Sequence, residues 1–180
     1  MRSIFLALIL LFLYGGCSSD RVKTPVDAKL NTKELPSQES WDSEVVFSDS
    51  GKTRAVLFAG HIRMFEKSRE TLIDSGLKVD FYNRQQVKTT TLTSKRGKVN
   101  DATKDLYAFD NVVVVNDSGT TLKTEELMWR NRDRKIISDK FVTIISPVEK
   151  IEGYGFESDQ AIRNYVIRDI TYITRRDSLQ

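Results

Sequence analysis

Histidine and cysteine are almost absent: the 180 residues hold one of each, His61 and Cys17. That excludes a multi-histidine zinc site, a CxxC pair and an internal disulfide framework. Charge of a single sign is missing too. With 28 Lys and Arg against 25 Asp and Glu, the formal net charge is +3, far from a nucleic-acid binder. Alanine is scarce at 7, whereas Val, Ile and Thr number 15, 13 and 15. Such β-branched side chains lose χ1 freedom in helices and pack well on a pleated surface, so the chain reads as mostly strand. A long apolar run is lacking as well. The longest, Ile4 to Tyr14, has eleven residues, and as a helix it would reach about 16 Å, half of a bilayer core.

That run follows Met1-Arg2-Ser3 and leads through Gly15-Gly16 into Cys17, the pattern of a short export signal. The segment resembles a bacterial lipoprotein signal, with Leu13 one place early and Tyr14 where the lipobox leucine usually stands. On that resemblance Cys17 is the expected lipid attachment site; the alternative is an incidental thiol beside an ordinary secretory cleavage site. Ser18 to Ser40 holds only five apolar residues and two of the three prolines, Pro25 and Pro36. It reads as a tether. The expected organisation is therefore a signal over residues 1–16, an anchor and linker over 17–40, a β domain over 41–174 and a polar tail over 175–180.

From Trp41 onward, short β-rich runs alternate with polar turns. Asp49-Ser50-Gly51, Asp74-Ser75-Gly76 and Asp117-Ser118-Gly119 carry hairpin chemistry, because Asp caps its own backbone and Gly supplies positive φ. Asp110-Asn111, Asn131-Arg132-Asp133, Asp139-Lys140 and Arg163-Asn164 are further turn candidates. They would divide Leu72–Phe81, Leu106–Val115, Lys135–Ile144 and Ala161–Ile170 into strand-turn-strand units. Period 2 puts Leu77, Val79 and Phe81 on one face, and likewise Val112 with Val114, and Val142 with Ile144. Leu122 and Thr124 run out of phase with Leu127 and Trp129, which places a bulge near Glu125-Glu126. Val112 to Val115 lacks polar alternation, so both its faces are covered or one meets a partner. Glu66 to Ser75 allows a short helical turn. The expected fold is an all-β roll or sandwich of about ten short antiparallel strands.

Candidate chemistry is sparse. His61 lies in the alternating run Gly60-His61-Ile62-Arg63-Met64, and no Gly-x-Ser-x-Gly elbow is present, so nucleophilic catalysis has no foothold. Gly153-Tyr154-Gly155 lacks a third glycine and a strand–turn–helix setting, and reads as two places where backbone approaches closely. No carboxylate pair stands out by spacing. Ser94-Lys95-Arg96-Gly97-Lys98 reads as a solvated hairpin tip, and Arg175-Arg176 as a solubilising tail. No catalytic residue, metal or cofactor is expected.

The stretch Gly119-Thr-Thr-Leu-Lys-Thr-Glu-Glu-Leu-Met-Trp129, continuing through Lys135-Ile-Ile-Ser-Asp139 and Phe141-Val-Thr-Ile144 to Ile151-Glu-Gly-Tyr-Gly-Phe-Glu-Ser-Asp159, with the earlier Gly76-Leu-Lys-Val-Asp-Phe81, resembles LptC. This is the periplasmic component of the lipopolysaccharide-export ABC transporter. The resemblance covers roughly residues 42–170. It implies an open antiparallel β-jellyroll whose apolar interior holds lipopolysaccharide acyl chains. The interior face would comprise Leu77, Val79, Phe81, Val112, Val114, Leu127, Trp129, Val142 and Ile144. The implied partners are the permease subunits LptF and LptG with the ATPase LptB, and an LptA-like periplasmic bridge. The bridge would dock by strand addition at the C-terminal edge, Tyr165, Val166 and Ile167. A transmembrane helix is expected there at the N-terminus, where this chain has the lipoprotein-like signal. The implied location is the periplasm of a Gram-negative bacterium, lipid-anchored to the inner membrane, although Ser18-Ser19 fits enterobacterial sorting to the outer membrane. The competing reading is a lipid-anchored envelope scaffold that binds proteins and no lipid, with a periplasmic hydrolase as a third class.

Overall fold

The computed structural model describes residues 35–175. Ten strands account for most of them: β1 (Gln38–Asp49), β2 (Lys52–Phe65), β3 (Glu70–Tyr82), β4 (Lys88–Ser94), β5 (Arg96–Asn100), β6 (Leu106–Asn116), β7 (Thr121–Arg130), β8 (Lys135–Ile145), β9 (Glu149–Asp159) and β10 (Tyr165–Arg175). All pairings are antiparallel, in one sheet of order β1-β2-β3-β4-β6-β7-β8-β9-β10. The short β5 continues the line of β4 and likewise lies between β3 and β6. The fold is all-β and jellyroll-like, and among the described residues β1 and β10 each have a strand partner on one side only. Residues 1–16, Cys17, most of the tether and the tail from Arg176 lie outside the described residues. Of the tether, Gln38–Ser40 belong to β1, in register with Met64–Ile62.

Four of the expected turns reverse the chain: Asp49-Ser50-Gly51, Asp117-Ser118-Gly119, Asn131-Arg132-Asp133 and Arg163-Asn164 all lie at hairpin connections. Three do not. Asp74-Ser75-Gly76, Asp110-Asn111 and Asp139-Lys140 sit in the middle of β3, β6 and β8, so Leu72–Phe81, Leu106–Val115 and Lys135–Ile144 are single kinked strands. Nor is Ser94–Lys98 a hairpin tip: the chain passes from β4 into β5 through Lys95 without turning back. The reason lies in the hydrogen bonds. The Gly76 N–H donates to Lys95 O at 3.0 Å, and the Lys95 N–H donates to Asp110 O at 3.1 Å, so each kink is bonded to the next strand across. The helical turn also fails. Glu66–Arg69 is a tight turn, and β-branched Thr71 and Ile73 continue it as strand.

These kinks form one line across the sheet. It runs through Asp42 in β1, Gly60 in β2, Ser75-Gly76, Lys95, Asp110-Asn111, Glu125-Glu126 in β7, Asp139-Lys140 and Gly155 in β9. Positive φ marks much of it: 47° at Asp42, 60° and 98° at Ser75 and Gly76, 64° and 52° at Asp110 and Asn111, and 71° at Gly155. A bulge bends its strand and raises the local twist. A row of bulges therefore creases the whole sheet. Parity follows the same rule. Where one residue is extra, the inward set shifts phase, from Leu57 and Ala59 to Ile62, from Leu122 and Thr124 to Leu127 and Trp129, and from Ile151 and Gly153 to Phe156. Where two are extra, phase is kept, from Ile73 to Leu77 and from Ala108 to Val112. Val112–Val115 alternates after all, with Val112 and Val114 buried and Val115 exposed.

Bulges interrupt ladders, and buried hydroxyls take over the freed carbonyls. Thr124 Oγ1 donates to Phe141 O at 2.9 Å, and Ser138 Oγ donates to Glu126 O at 2.7 Å. On the outer side Arg96 pairs with Asp110 and Arg63 with Asp74. The hydrogen bond from Arg96 holds the Asp110 carboxyl below its ordinary value.

Contacts between distant strands close the roll. Phe81 of β3 meets Trp129 of β7 with ring centroids 5.5 Å apart. Asn116 Nδ2 donates to Ala161 O at 2.9 Å, and Arg134 reaches Asp49 at 3.0 Å. Gly60 shows how tightly the crease is made: a Cβ there would lie 2.3 Å from Ser75 O. Gly60→Ala should therefore destabilise the chain by about 3 kcal/mol, the upper end for forced overpacking. Gly51→Ala, which meets only open space, should cost about 1 kcal/mol for its positive φ. Urea unfolding of the two variants checks the order, and an equal loss would mean that the crease yields.

Candidate functional site

The interior is where the inward faces of both halves of the creased sheet converge. All nine residues expected on that face are there: Leu77, Val79, Phe81, Val112, Val114, Leu127, Trp129, Val142 and Ile144 are each 4% exposed or less. They share one apolar cluster with Leu92, Ile136 and Phe156. Burying each such side chain contributes about 1.5–3 kcal/mol, so this packed region stabilises the fold whatever else it does.

Open space lies beside it rather than within it. A cavity of about 350 Å³ opens between β1, β2, β3 and β5, walled by Phe47, Leu57, Ile62, Met64, Ile73 and Val99. None of the nine expected residues lines it. Sequence reasoning missed this part because its alternation changes phase at Gly60, which hides the pairing of Leu57 with Ile62 and Met64. Polar side chains ring the mouth, among them Glu44, Asp101 and Lys104. Thr71 Oγ1 donates to Asp101 Oδ2 at 3.0 Å, which fixes that side of the rim. Several buried donors lack a partner among the described residues, and one of them belongs to the core cluster. The Trp129 indole N–H has no hydrogen-bond partner among the described residues.

The expected edge divides into two roles. Tyr165 and Ile167 turn inward: Tyr165 packs beside Phe156 at 6.2 Å between centroids, and Ile167 joins the core cluster. The Tyr165 hydroxyl donates to Glu149 Oε1 at 3.0 Å, and burial together with that carboxylate pushes its pKa up to about 12. Val166 faces out, 62% exposed. Beyond Ile167 neither face of β10 is covered, and Ile170, Tyr172 and Ile173 are all exposed. The apolar part of the edge thus extends further along β10 than alternation in Asn164–Arg168 suggested.

His61 lies on the outer rim, stacked on the exposed Trp41 at 5.0 Å, with Nε2 3.3 Å from the Glu39 carboxylate. Among the described residues its side-chain partners are Trp41 and Glu39, and neither is a serine or cysteine nucleophile. No cluster of three or more metal-ligating residues occurs among the described residues. Gly153 is a close approach, since a Cβ there would sit 2.3 Å from Asp169 O. Gly155 has another reason, its φ of +71° at the crease. Arg96 and Lys98 of the basic segment are taken up by Asp110 and Glu70.

A family model described as "Lipopolysaccharide-assembly, LptC-related" matches residues 4–167. Among curated proteins none matches the chain significantly.

Proposed function

The chain belongs to the lipopolysaccharide-assembly, LptC-related family, and we propose that it takes lipopolysaccharide from an inner-membrane ABC transporter and passes it along its apolar interior. The family serves lipopolysaccharide transport and is periplasmic and membrane-associated in Gram-negative bacteria. The observation that carries the finer reading is the apolar cavity, continuous in its walls with the packed interior through Leu57 and Ile73. Acyl chains gain about 0.8 kcal/mol per methylene on leaving water. A cavity with apolar walls and a polar mouth is the form of site such a chain needs. The step is one of binding and release, with no bond made or broken; the work comes from the ATPase, LptB, acting through LptF and LptG.

The packed residues are the continuation of the path. Lipid advancing from the cavity parts Val79 and Val114 from their neighbours, and they close again behind it. A photo-crosslinking residue at Ile73 or Met64 should capture lipopolysaccharide most efficiently, one at Val79 or Val114 less so, and one at the outward Lys78 not at all. Labelling at Lys78 equal to that at Ile73 would refute the inward path, and no labelling at any inward position would favour the protein-binding scaffold.

At the far end, β10 offers an edge to an LptA-like roll. Its outer row of backbone groups has no strand partner among the described residues, and its exposed Val166, Ile170, Tyr172 and Ile173 add apolar surface. Strand addition draws affinity from main-chain hydrogen bonds and specificity from alternate side chains. Val166→Lys with Ile170→Lys should leave stability within about 0.5 kcal/mol, as exposed substitutions do. Docking of the partner roll, read by pull-down, should fall at least severalfold; undiminished docking would move the junction to another edge, β1 in the first place.

The N-terminal tether completes the reading. Lipidation of Cys17 would hold the roll at the membrane, since several acyl chains anchor firmly where one does not. Cys17→Ala should release the chain from the membrane fraction or leave a heavier unprocessed precursor there. A processed, membrane-bound Ala variant would show that another contact supplies the tether.

A further inference from the structure

We propose that a second, cationic cavity beside Trp129 binds the phosphates of an acylated, phosphorylated glycolipid whose acyl chains enter the adjoining apolar cavity. This deepens the lipid-carrying reading and rests on it. The cavity, about 610 Å³, lies where the β1–β2 end of the roll meets the β7–β8 turn. Arg54, Lys104, Arg132 and Arg134 line it, against a single carboxylate, Asp49.

Three observations converge there. The first is charge. Asp49 is shared by Arg54 at 3.5 Å and Arg134 at 3.0 Å, and Lys104 pairs with Asp101 at 3.8 Å. Arg132 has no ion pair among the described residues. With Asp101 counted beside Lys104, four cations face two carboxylates, an excess of two positive charges that a dianion would neutralise, and guanidinium groups match phosphate oxygens in bidentate fashion.

The second is unmet hydrogen-bonding capacity. Among the described residues, Trp129 Nε1 and Arg54 Nε are buried donors without partners, and both residues line this cavity. Buried N–H groups are almost always satisfied, so two orphans just behind one cavity wall mark a place where an acceptor would be taken up as side chains of that wall give way. A phosphate supplies acceptor oxygens and no competing donor.

The third is position. Phe47 and Lys104 line both this cavity and the apolar one, so the two abut across a shared wall. An amphiphile seated there would place its charged head against the arginines and its chains against Ile62, Ile73 and Val99. Lipopolysaccharide has that design in its phosphorylated, multi-acylated lipid A. Head-first capture would also fix which way the chains point as they enter the interior.

The test uses the full chain in phosphatidylcholine nanodiscs and three probes: bisphosphorylated lipid A, the same lipid dephosphorylated, and inorganic phosphate. Calorimetry gives the affinities, and Trp129 emission in a Trp41→Phe background, which leaves Trp129 alone of the two tryptophans, reports the site. The phosphorylated lipid should bind at least about tenfold more tightly than the dephosphorylated one, a difference of about 1.4 kcal/mol. Arg132→Glu, at an exposed position that lines the cationic cavity and not the apolar one, should abolish that ratio and leave binding of the dephosphorylated lipid as in the wild type. Equal binding of both lipids to the wild type, or a ratio that survives in the variant, would overturn the headgroup site while leaving the lipid-carrying reading intact. A response to inorganic phosphate with neither lipid bound would overturn both, in favour of a free-phosphate site. Silence to all three probes would also end both.

Discussion

Everything in this fold depends on the crease. Antiparallel strands of eleven to fourteen residues, such as β2, β3 and β6, would make a long twisted ribbon if each ran straight. Instead nearly every strand carries extra residues at the same level, and the ladder bends there as a unit. The cost of each bulge is a broken run of backbone hydrogen bonds. It is offset by Thr124 and Ser138, whose hydroxyls take the carbonyls of Phe141 and Glu126, and by ion pairs such as Arg96–Asp110 on the outer side. Both halves of the sheet then turn their apolar faces inward, and Phe81 can meet Trp129 although two strand positions separate β3 from β7. A core, an interior and two free edges all follow from one bend.

Free edges are a hazard that proteins usually blunt. The two edges here are treated differently. Along β1, inward residues stay half-covered, and the exposed Trp41 stacks on His61. Along β10, coverage stops after Ile167. Arg168 and Asp169 interrupt the apolar positions there, which discourages indiscriminate pairing yet leaves a matched partner tolerable. The inward anchors Tyr165 and Ile167 hold the start of β10 to the body, so its free remainder is presented in a defined direction.

Much of this was legible in the sequence. The β-branched excess and period 2 were enough to read an all-β roll or sandwich and to group nine residues by face, because a half-buried strand leaves a direct trace in alternation; that these faces point inward was implied by the family resemblance, and all nine are buried. The bulge at Glu125-Glu126 was visible for the same reason, as a break of phase between Thr124 and Leu127. What local sequence could not decide was whether a turn signal reverses the chain. Ser50-Gly51 and Ser75-Gly76 follow the same aspartate and both take positive φ, at 53° and 75° and at 60° and 98°. The first pair closes a hairpin and the second only kinks β3. The difference lies in the partner: Gly76 N–H is bonded to Lys95 O, nineteen residues away in the chain, and no reading of a tripeptide contains that. The cationic cavity was hidden likewise, since Arg54 and Arg134 are joined only through Asp49 once the roll has closed.

The packed state of the interior bears on what a conduit needs. A preformed tunnel wide enough for several acyl chains would hold them by the full hydrophobic gain, on the order of 10 kcal/mol for each chain of about a dozen carbons, and release would be slow. Here Val79, Phe81, Val114 and Ile144 are packed against their neighbours, and those contacts must be lost before lipid contacts replace them. If the interior carries lipid as proposed, lipid and side chains would compete for the same apolar surface, and the net affinity would be the small difference between two large quantities. The open sheet makes that exchange feasible, because no ladder joins β1 to β10 and the halves can part at the crease without breaking a strand pair. On the proposed reading, a roll built this way would bind lipid reversibly, and direction could come from the supply end alone.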